Sequence, residues 1–156
     1  MLLLRLVKLA LIACCGVAAA ADEPNQDLAV VTYNIRYDNP NDGLDIWANR
    51  VEAVAEFIAS QDVVGLQEVT RPQLGQLRER LSPFGWYGVG RNDGKSGGEH
   101  AVIFYRLDRI EPLEQGTFWL SETPDQVGVK GWDAALPRTC TWMVLRDKAT
   151  DQRFWI

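Results

Sequence analysis

The segment "VVTYNIRYDNPNDG", residues 30–43, begins like a buried strand and then breaks its own pattern. Its first four residues are β-branched or aromatic, which favours a β-strand. Asn34 and Arg36 then place polar groups at the end of the apolar run, and a cluster of Asp, Asn, Pro and Gly follows as turn formers. A strand that ends in this way indicates either a structural turn or a functional site at its carboxyl end.

The first half of the chain alternates between strand and helix patterns. Residues 28–35 and 62–69 are predicted strands, and Asp45 is the predicted cap of a helix between them. Thr70 and Gln73 predict a capping box at the start of a second helix. The apolar positions of the two helices follow helical spacing: Trp47, Val51, Val54 and Ile58, then Leu74, Leu77 and Leu81. This alternation predicts an α/β fold in which the two strands are parallel.

The second half of the chain changes character after the second helix. Residues 85–90 form a predicted strand, and residues 100–120 read as strands joined by short turns. A long connection rich in Pro and Gly follows over residues 121–137. Residues 138–156 predict a hairpin with its turn at 148–152.

Glu68, in "LQEV", is a second polar residue at the end of an apolar strand, as Asn34 is at the end of the first. Parallel strands end at the same edge of a sheet, where ligands bind in folds of this class. Amide and carboxylate oxygens are hard ligands that suit Mg²⁺. The residues alone leave a structural alternative open, in which Asn34 caps a turn and Glu68 lies favourably before a helix.

Six segments taken together carry a family resemblance: "TYNIR", "LQEV", "GVGRNDG", "GEHAVIFYR", "GTFWLSETPD" and "GWDAALPRTCTW". They resemble the endonuclease/exonuclease/phosphatase superfamily, and in particular its secreted bacterial branch, which is similar to the eukaryotic deadenylase nucleases. The resemblance covers residues 28–156. It implies a four-layer α/β sandwich, with two packed mixed sheets flanked by helices, that is incomplete at its C-terminal side.

The resemblance implies a function and two site residues. Glu68 corresponds to the principal ligand of a catalytic Mg²⁺, with Mn²⁺ as the alternative ion. Asn34 corresponds to a residue that lines the metal–phosphate site, as a ligand or a catalytic group. The implied activity is metal-dependent phosphoester hydrolysis by a nuclease, a phosphodiesterase or a phosphatase. The substrate stays open between nucleic acid, phospholipid head group, sugar phosphate and nucleotide.

Four further residues are weaker candidates for the same site. Arg91, Glu99 and His100 surround a glycine-rich loop, which lacks the spacing of a Walker-type phosphate loop. We expect Arg91 to contact phosphate, and Glu99 and His100 to act in catalysis. Arg138 precedes a strand, where its guanidinium can bind phosphate through two hydrogen bonds. The structural alternatives are a solvated loop and a surface ion pair.

The later motifs of the family do not occur in this sequence. They are a Thr-His followed by Asp, a Gly-Asp-x-Asn and a Ser-Asp-His, and the sole histidine of this chain, His100, lies in none of these contexts. We therefore expect the chain to be the N-terminal part of an enzyme. Residues 22–156 alone are expected to be inactive and poorly folded, because the last strands would leave apolar faces and unpaired backbone groups exposed.

A function of a different class is a non-catalytic secreted module that binds carbohydrate or protein. The chain has six tryptophans, and Trp119 and Trp132 are candidates for stacking on a base or a sugar, with packing in the core or at its rim as the equal alternative for each. Dependence on a metal ion would distinguish the enzyme from the module. The formal net charge of −5 argues against non-specific binding of long duplex DNA. No obligate protein partner is indicated.

Residues 1–21 have the pattern of a secretory signal peptide, and residues 22–27 form a polar leader. Arg5 and Lys8 precede an apolar stretch, and a run of alanines ends it. The expected location is therefore periplasmic or extracellular. The alternative is a lipoprotein anchored at Cys14, but cleavage there leaves only 5 apolar residues after Lys8, against roughly 7–15 in a typical signal. The apolar run is too short to predict a transmembrane helix.

We expect the mature protein to begin at Ala21 or Asp22, because the small residues before these positions suit cleavage by a signal peptidase. Mass spectrometry of the N-terminus of the exported protein measures this directly. A lipid-modified Cys14 at the N-terminus would contradict the prediction.

Overall fold

The computed structural model describes residues 27–156, so the signal peptide and most of the polar leader lie outside the described residues. The described chain forms seven strands, two α-helices and a short 3₁₀ turn at Gly43–Asp45. The strands are β1 (Val30–Asn34), β2 (Val63–Val69), β3 (Phe84–Tyr87), β4 (His100–Arg106), β5 (Ile110–Trp119), β6 (Thr139–Asp147) and β7 (Arg153–Trp155), and the helices are α1 (Trp47–Ala59) and α2 (Arg71–Arg80).

The strands form two sheets. The first has the order β1-β2-β4-β3, in which β1 and β2 are parallel, as predicted, and the other pairs are antiparallel. The second has the order β5-β6-β7 and is entirely antiparallel over the described residues. The predicted α/β fold with two packed sheets is thus confirmed. Of its layers, the described residues form one pair of helices, one mixed sheet and one antiparallel sheet.

The side chains of the first sheet alternate between two cores, as the period of a β-strand requires. In β4, Val102 and Phe104 pack toward the helices, whereas Ile103 and Tyr105 pack toward the second sheet. The apolar residues predicted at helical spacing contribute to the core between the helices and the first sheet: Trp47, Val51, Val54, Ile58, Leu74, Leu77 and Leu81. The alternation therefore lets a single sheet support both neighbouring layers.

The two helices begin differently. The predicted capping box of α2 is confirmed, with the side chains of Thr70 and Gln73 at the first turn. The predicted cap of α1 is wrong, because Asp45 ends the 3₁₀ turn and Ile46 precedes the helix without a side-chain cap bond. The backbone oxygen of Asp45 accepts a hydrogen bond from Arg50 Nε at 2.6 Å instead.

The remaining predicted elements also occur. The long connection runs from β5 to β6, and β6 and β7 form the predicted antiparallel hairpin. Within residues 27–156, neither helix has the length and apolar character needed to cross a membrane.

The core against α2 provides a test of the fold. Leu77 is fully buried, so Leu77→Ala should lower the free energy of unfolding by about 2–5 kcal/mol. Leu44 is 88% exposed, so the matched variant Leu44→Ala should change it by less than about 0.5 kcal/mol. Urea unfolding of the full-length protein measures both. Equal effects of the two variants would show that α2 does not pack as described.

Candidate active site

A cleft of about 280 Å³ opens at the carboxyl ends of β1 and β2. The six site residues predicted from the sequence all line it, although they come from four separate parts of the chain. Its lining consists of Asn34, Gln67, Glu68, Arg91, Glu99, His100, Ala101, Leu120, Arg138 and Thr139. The fold therefore brings the predicted residues together, while their individual roles remain predictions.

A β-bulge directs Glu68 into this cleft. Val64 and Leu66 pack toward the helices, and simple alternation would send Glu68 into the same core. Instead, two residues of β2 oppose only one of β4 between the pairs Leu66–Val102 and Val69–His100. Glu68 adopts φ 62°, and the next inward position is taken by Val69. A bulge of this kind re-aims a side chain at a sheet edge.

A second left-handed residue, Arg36, turns the backbone after β1 so that its N–H groups reach the side chains of Asn34 and Glu68. Its φ of 60° turns the backbone after β1, so that the Arg36 N–H donates to Asn34 Oδ1 at 2.9 Å. The next N–H, of Tyr37, donates to Glu68 Oε2 at 3.2 Å, and Asn34 Nδ2 donates to Glu68 Oε1 at 2.9 Å. Both carboxylate oxygens of Glu68 are therefore held by donors. The Asn34 amide meets Glu68 through its nitrogen, which favours an orienting role for Asn34 over direct metal ligation.

These contacts favour the ionised form of Glu68. The hydrogen bond from Asn34 lowers the pKa of the Glu68 carboxyl below its ordinary value of 4.5, and partial burial opposes that shift. The Tyr37 N–H and the positive charges of Arg36 and Arg138 lower the pKa further. Glu68 thus presents a negative charge to the cleft over the neutral pH range.

Two residues that were not predicted as site residues donate hydrogen bonds to the backbone that follows β1. Gln73 is fully buried; its Oε1 accepts from the Thr70 N–H at 3.0 Å, and its Nε2 donates to the Arg36 carbonyl at 2.9 Å. Arg50 Nη1 donates to the carbonyl of Ile35 at 2.7 Å. The capping box was a visible signal for Gln73, but its bond to Arg36 spans 37 positions of sequence and has no local signature.

The guanidinium of Arg36 forms an ion pair with Asp42. It donates to both carboxylate oxygens of Asp42, at 3.0 and 2.9 Å, and lies over the ring of Tyr37. The hydrogen bond to Asp42 raises the pKa of Arg36. This ion pair links Arg36 to Asp42 across the turn after β1. In the same turn, the backbone N–H of Tyr37 donates to Glu68.

Arg91 and Glu99 form an ion pair on the wall of the cleft. Arg91 Nη1 lies 2.7 Å from Glu99 Oε2, and Nη2 lies 3.3 Å from Oε1. Arg91 Nε is buried without a hydrogen-bond partner among the described residues. The sequence predicts that Arg91 contacts phosphate and Glu99 acts in catalysis, whereas the structure joins the two charges in an ion pair.

His100 is buried, and its ring bonds to the backbone of the neighbouring strand. Nδ1 lies 3.1 Å from the carbonyl oxygen of Val69. A carbonyl only accepts hydrogen bonds, so Nδ1 carries the proton and Nε2 is the acceptor of the neutral ring. This contact fixes His100 beside the bulge, and its predicted catalytic role stays a prediction.

Arg138 is the exposed cation of the cleft. Its side chain forms no salt bridge with a carboxylate of residues 27–156. It lies near enough to Glu68 to lower the pKa of that carboxyl. A guanidinium in this position is suited to bind a phosphate group.

The two tryptophans proposed for stacking differ sharply. Trp119 is 5% exposed, and its indole N–H donates to the backbone oxygen of Arg91 at 2.7 Å. Of the two alternatives for Trp119, core packing is the one found, because its ring packs in the interior and its indole N–H bonds to the loop of Arg91. Trp132 is 72% exposed.

The chain matches a known protein family over most of its length. The model of the Endonuclease/Exonuclease/phosphatase family matches residues 31–151. No curated protein matches the chain.

Several solved structures are similar to this chain. The endonuclease/exonuclease/phosphatase from Bacteroides vulgatus is 48% identical with a TM-score of 0.79, over 82% of this chain and 50% of that one. A mannosyl-6-phosphatase from Bacteroides thetaiotaomicron is 44% identical with a TM-score of 0.78, over 83% and 49%. TDP2 from D. rerio, solved with a single-strand DNA product, is 20% identical with a TM-score of 0.60, over 82% and 43%, and shares the fold. The chain thus spans about half the length of the structures it matches.

The hydrogen bond from Asn34 gives a pH-dependent test of this geometry. Removing it with Asn34→Ala should raise the pKa of Glu68 toward 4.5, because that bond is the largest cause of the lowered value. A lowered carboxyl pKa stabilises the fold above the unfolded value, and this contribution is lost as the pH falls through the folded pKa. The stability difference between wild type and Asn34→Ala should therefore be largest at neutral pH and shrink in acid.

Carbon-13 NMR titration of the Glu side chains and urea unfolding across the same pH range measure these two effects. Asn49→Ala, on the exposed face of α1, is the matched control and should leave the Glu68 titration unchanged. An unaltered Glu68 pKa in Asn34→Ala would refute the orienting role of Asn34.

Proposed function

This chain belongs to the endonuclease/exonuclease/phosphatase family, and from that membership we propose that it supplies part of the active site of a metal-dependent phosphoester hydrolase. The observation that carries the proposal is the Glu68 carboxylate. It is aimed into the cleft by a bulge, kept ionised by Asn34 and Tyr37, and faced by Arg138, a cation that forms no salt bridge within residues 27–156.

The donor set fits a hard divalent ion of the Mg²⁺ type. Within residues 27–156, no group of three His, Cys, Asp or Glu side chains is arranged to hold a metal. Mg²⁺ does not need such a group, since one or two carboxylates, waters and a substrate phosphate commonly complete its shell. Glu68 would hold the ion, with Mn²⁺ as the alternative, and the bound ion would polarise the phosphoryl oxygen as a Lewis acid.

The side chains of this chain have separate tasks in the proposed reaction. Asn34 orients Glu68 and keeps it charged. Arg138 binds the phosphate and offsets its negative charge. His100, held through Nδ1 by Val69, presents Nε2 as a fixed hydrogen-bonding atom at the cleft. The Arg91–Glu99 pair keeps the wall of the cleft rigid and nearly neutral, so that Arg138 dominates the attraction for an anion.

Water activation and stabilisation of the transition-state charge require further groups. The solved structures that this chain matches are about twice its matched length. We infer that the remaining catalytic groups come from the corresponding other half of the domain. The whole active site would then form where the two halves meet at the cleft.

A phosphorylated sugar is the substrate class that we favour. The neighbour described as a mannosyl-6-phosphatase is 44% identical to this chain over 83% of its length. The cleft is small, and the chain has a net charge of −5, which disfavours long nucleic acids. Export of the enzyme, which the signal pattern of residues 1–21 supports, would place it where it meets sugar phosphates outside the cytoplasm.

Glu68→Gln tests the proposed function, since it removes the charge and keeps the shape. In the full-length protein it should lower Mg²⁺ affinity and turnover of a hexose 6-phosphate by more than the roughly 10- to 100-fold expected for losing an outer-shell partner. Calorimetric titration with Mg²⁺ and phosphate release at limiting Mg²⁺ measure these effects. Glu56→Gln, on the exposed surface of α1, is the matched control. Wild-type turnover by Glu68→Gln at limiting Mg²⁺ would overturn the assignment.

A further inference from the structure

The connection between β5 and β6, residues 120–138, starts and finishes at the cleft. Leu120 N donates to the carbonyl of Arg138 at 2.8 Å, and both residues line the cleft. Gly131 packs against the base of this loop, because a Cβ built there would lie 2.3 Å from the carbonyl oxygen of Leu120. Trp132 is the next residue. Trp132 does not itself line the cleft, but its neighbour Gly131 packs against Leu120, which does.

The loop exposes an unusual amount of apolar surface. Of the nine large apolar side chains exposed within residues 27–156, four belong to this loop: Leu120 at 40%, Val127 at 52%, Trp132 at 72% and Leu136 at 46%. Scattered exposed apolar residues need no explanation, but four of them in one loop whose two ends line a polar cleft are typical of a ligand contact.

Trp132 also has an unfavourable backbone conformation. Its φ is 49°, in the left-handed region that bulky residues rarely adopt. The other non-glycine residues with positive φ among those described are Arg36 and Glu68, at the site, and Asp151, in the turn of the β6–β7 hairpin. Left-handed residues cluster at functional sites, where the surrounding structure enforces them.

The packing of residues 27–156 does not account for Trp132. An indole that remains 72% exposed gains little from burial, and glycine would adopt the same φ without steric conflict. Trp119 shows the contrast, since its ring is buried and hydrogen-bonded within the fold. The exposure and the conformation of Trp132 thus both point to an external contact.

We propose that Trp132 is a specificity-determining residue that stacks on the ring of the sugar whose phosphate enters the cleft, an inference that rests on the proposed phosphoester hydrolysis. Indole offers a flat, polarisable face with a quadrupole that attracts the C–H groups of a pyranose ring. Arg138 stands at the end of the same loop and holds the phosphate. A single loop therefore recognises both ends of a phosphosugar.

The contact predicts a selective loss in the full-length protein. Trp132→Ala should lower kcat/KM for a hexose 6-phosphate by roughly three- to tenfold, mainly through KM, since aromatic stacking is of that magnitude. Turnover of glycerol phosphate, which has no ring, should not change. Trp132→Phe keeps an aromatic face and should restore most of the loss.

Trp155 gives a matched control. It is 71% exposed, lies on β7 and contacts Trp142 rather than the cleft. Trp155→Ala should leave both substrates unaffected. Equal losses on hexose 6-phosphate and glycerol phosphate, or no loss on either, would overturn the proposal. A larger effect of Trp132→Ala on adenosine 5′-phosphate than on the hexose phosphate would overturn the choice of a sugar.

A binding measurement separates this inference from the proposed function. The indole N–H signal of Trp132, assigned by its absence in Trp132→Phe, should shift when hexose 6-phosphate is added. If it shifts while Glu68→Gln remains fully active, the ring contact holds and the metal mechanism fails. If it does not shift, the ring contact is refuted whatever the activity of the protein.

Discussion

The left-handed backbone at Glu68 is the constraint on which the site depends. In a regular strand this carboxylate would point into the core beneath the helices, where an unpaired charge is strongly unfavourable. The bulge in β2 lets Val69 take that core position and turns Glu68 toward the cleft. Packing of Val69 therefore helps to enforce the strained conformation, which costs about 1–3 kcal/mol when it is not supported.

The two strand-to-loop junctions of the first sheet support each other. The turn after β1 directs two successive N–H groups at the side chains of Asn34 and Glu68, and Gln73, from the first turn of α2, bonds to the carbonyl of Arg36 at the centre of that turn. Without the turn after β1, Glu68 and Gln73 would lose hydrogen-bond partners, and without Glu68 and Gln73 the turn would lose them in the same way. This mutual support gives a preorganised carboxylate whose charge and direction are set before any ligand arrives, which is the arrangement that metal and phosphate binding require.

The second sheet contributes the opposite side of the cleft. Because it packs on the face of the first sheet away from the helices, the loop that joins β5 to β6 reaches the edge where β1 and β2 end. That loop brings Arg138 within electrostatic range of Glu68, and it carries the exposed Trp132 next to Gly131, which packs against the cleft residue Leu120. The cleft therefore combines a fixed anion with a cation that has no ion-pair partner among the described residues, which suits the proposed binding of a phosphate group.

The sequence by itself determined the order of helices and strands and the parallel pairing of β1 with β2. It also identified Asn34 and Glu68 as candidate site residues. These features could be predicted because the hydrophobic period and the turn chemistry are local properties of the sequence. Its error at Asp45 arose because a 3₁₀ turn intervenes before α1. For Trp119 the sequence left ligand stacking and core packing open, and the tertiary structure places the ring in the core with a hydrogen bond to the loop of Arg91. Only the tertiary structure decided the bulge at Glu68, the hydrogen bonds that the Glu68 carboxylate accepts from Asn34 and Tyr37, and the position of distant loops around one cleft. These features depend on contacts between residues more than thirty positions apart.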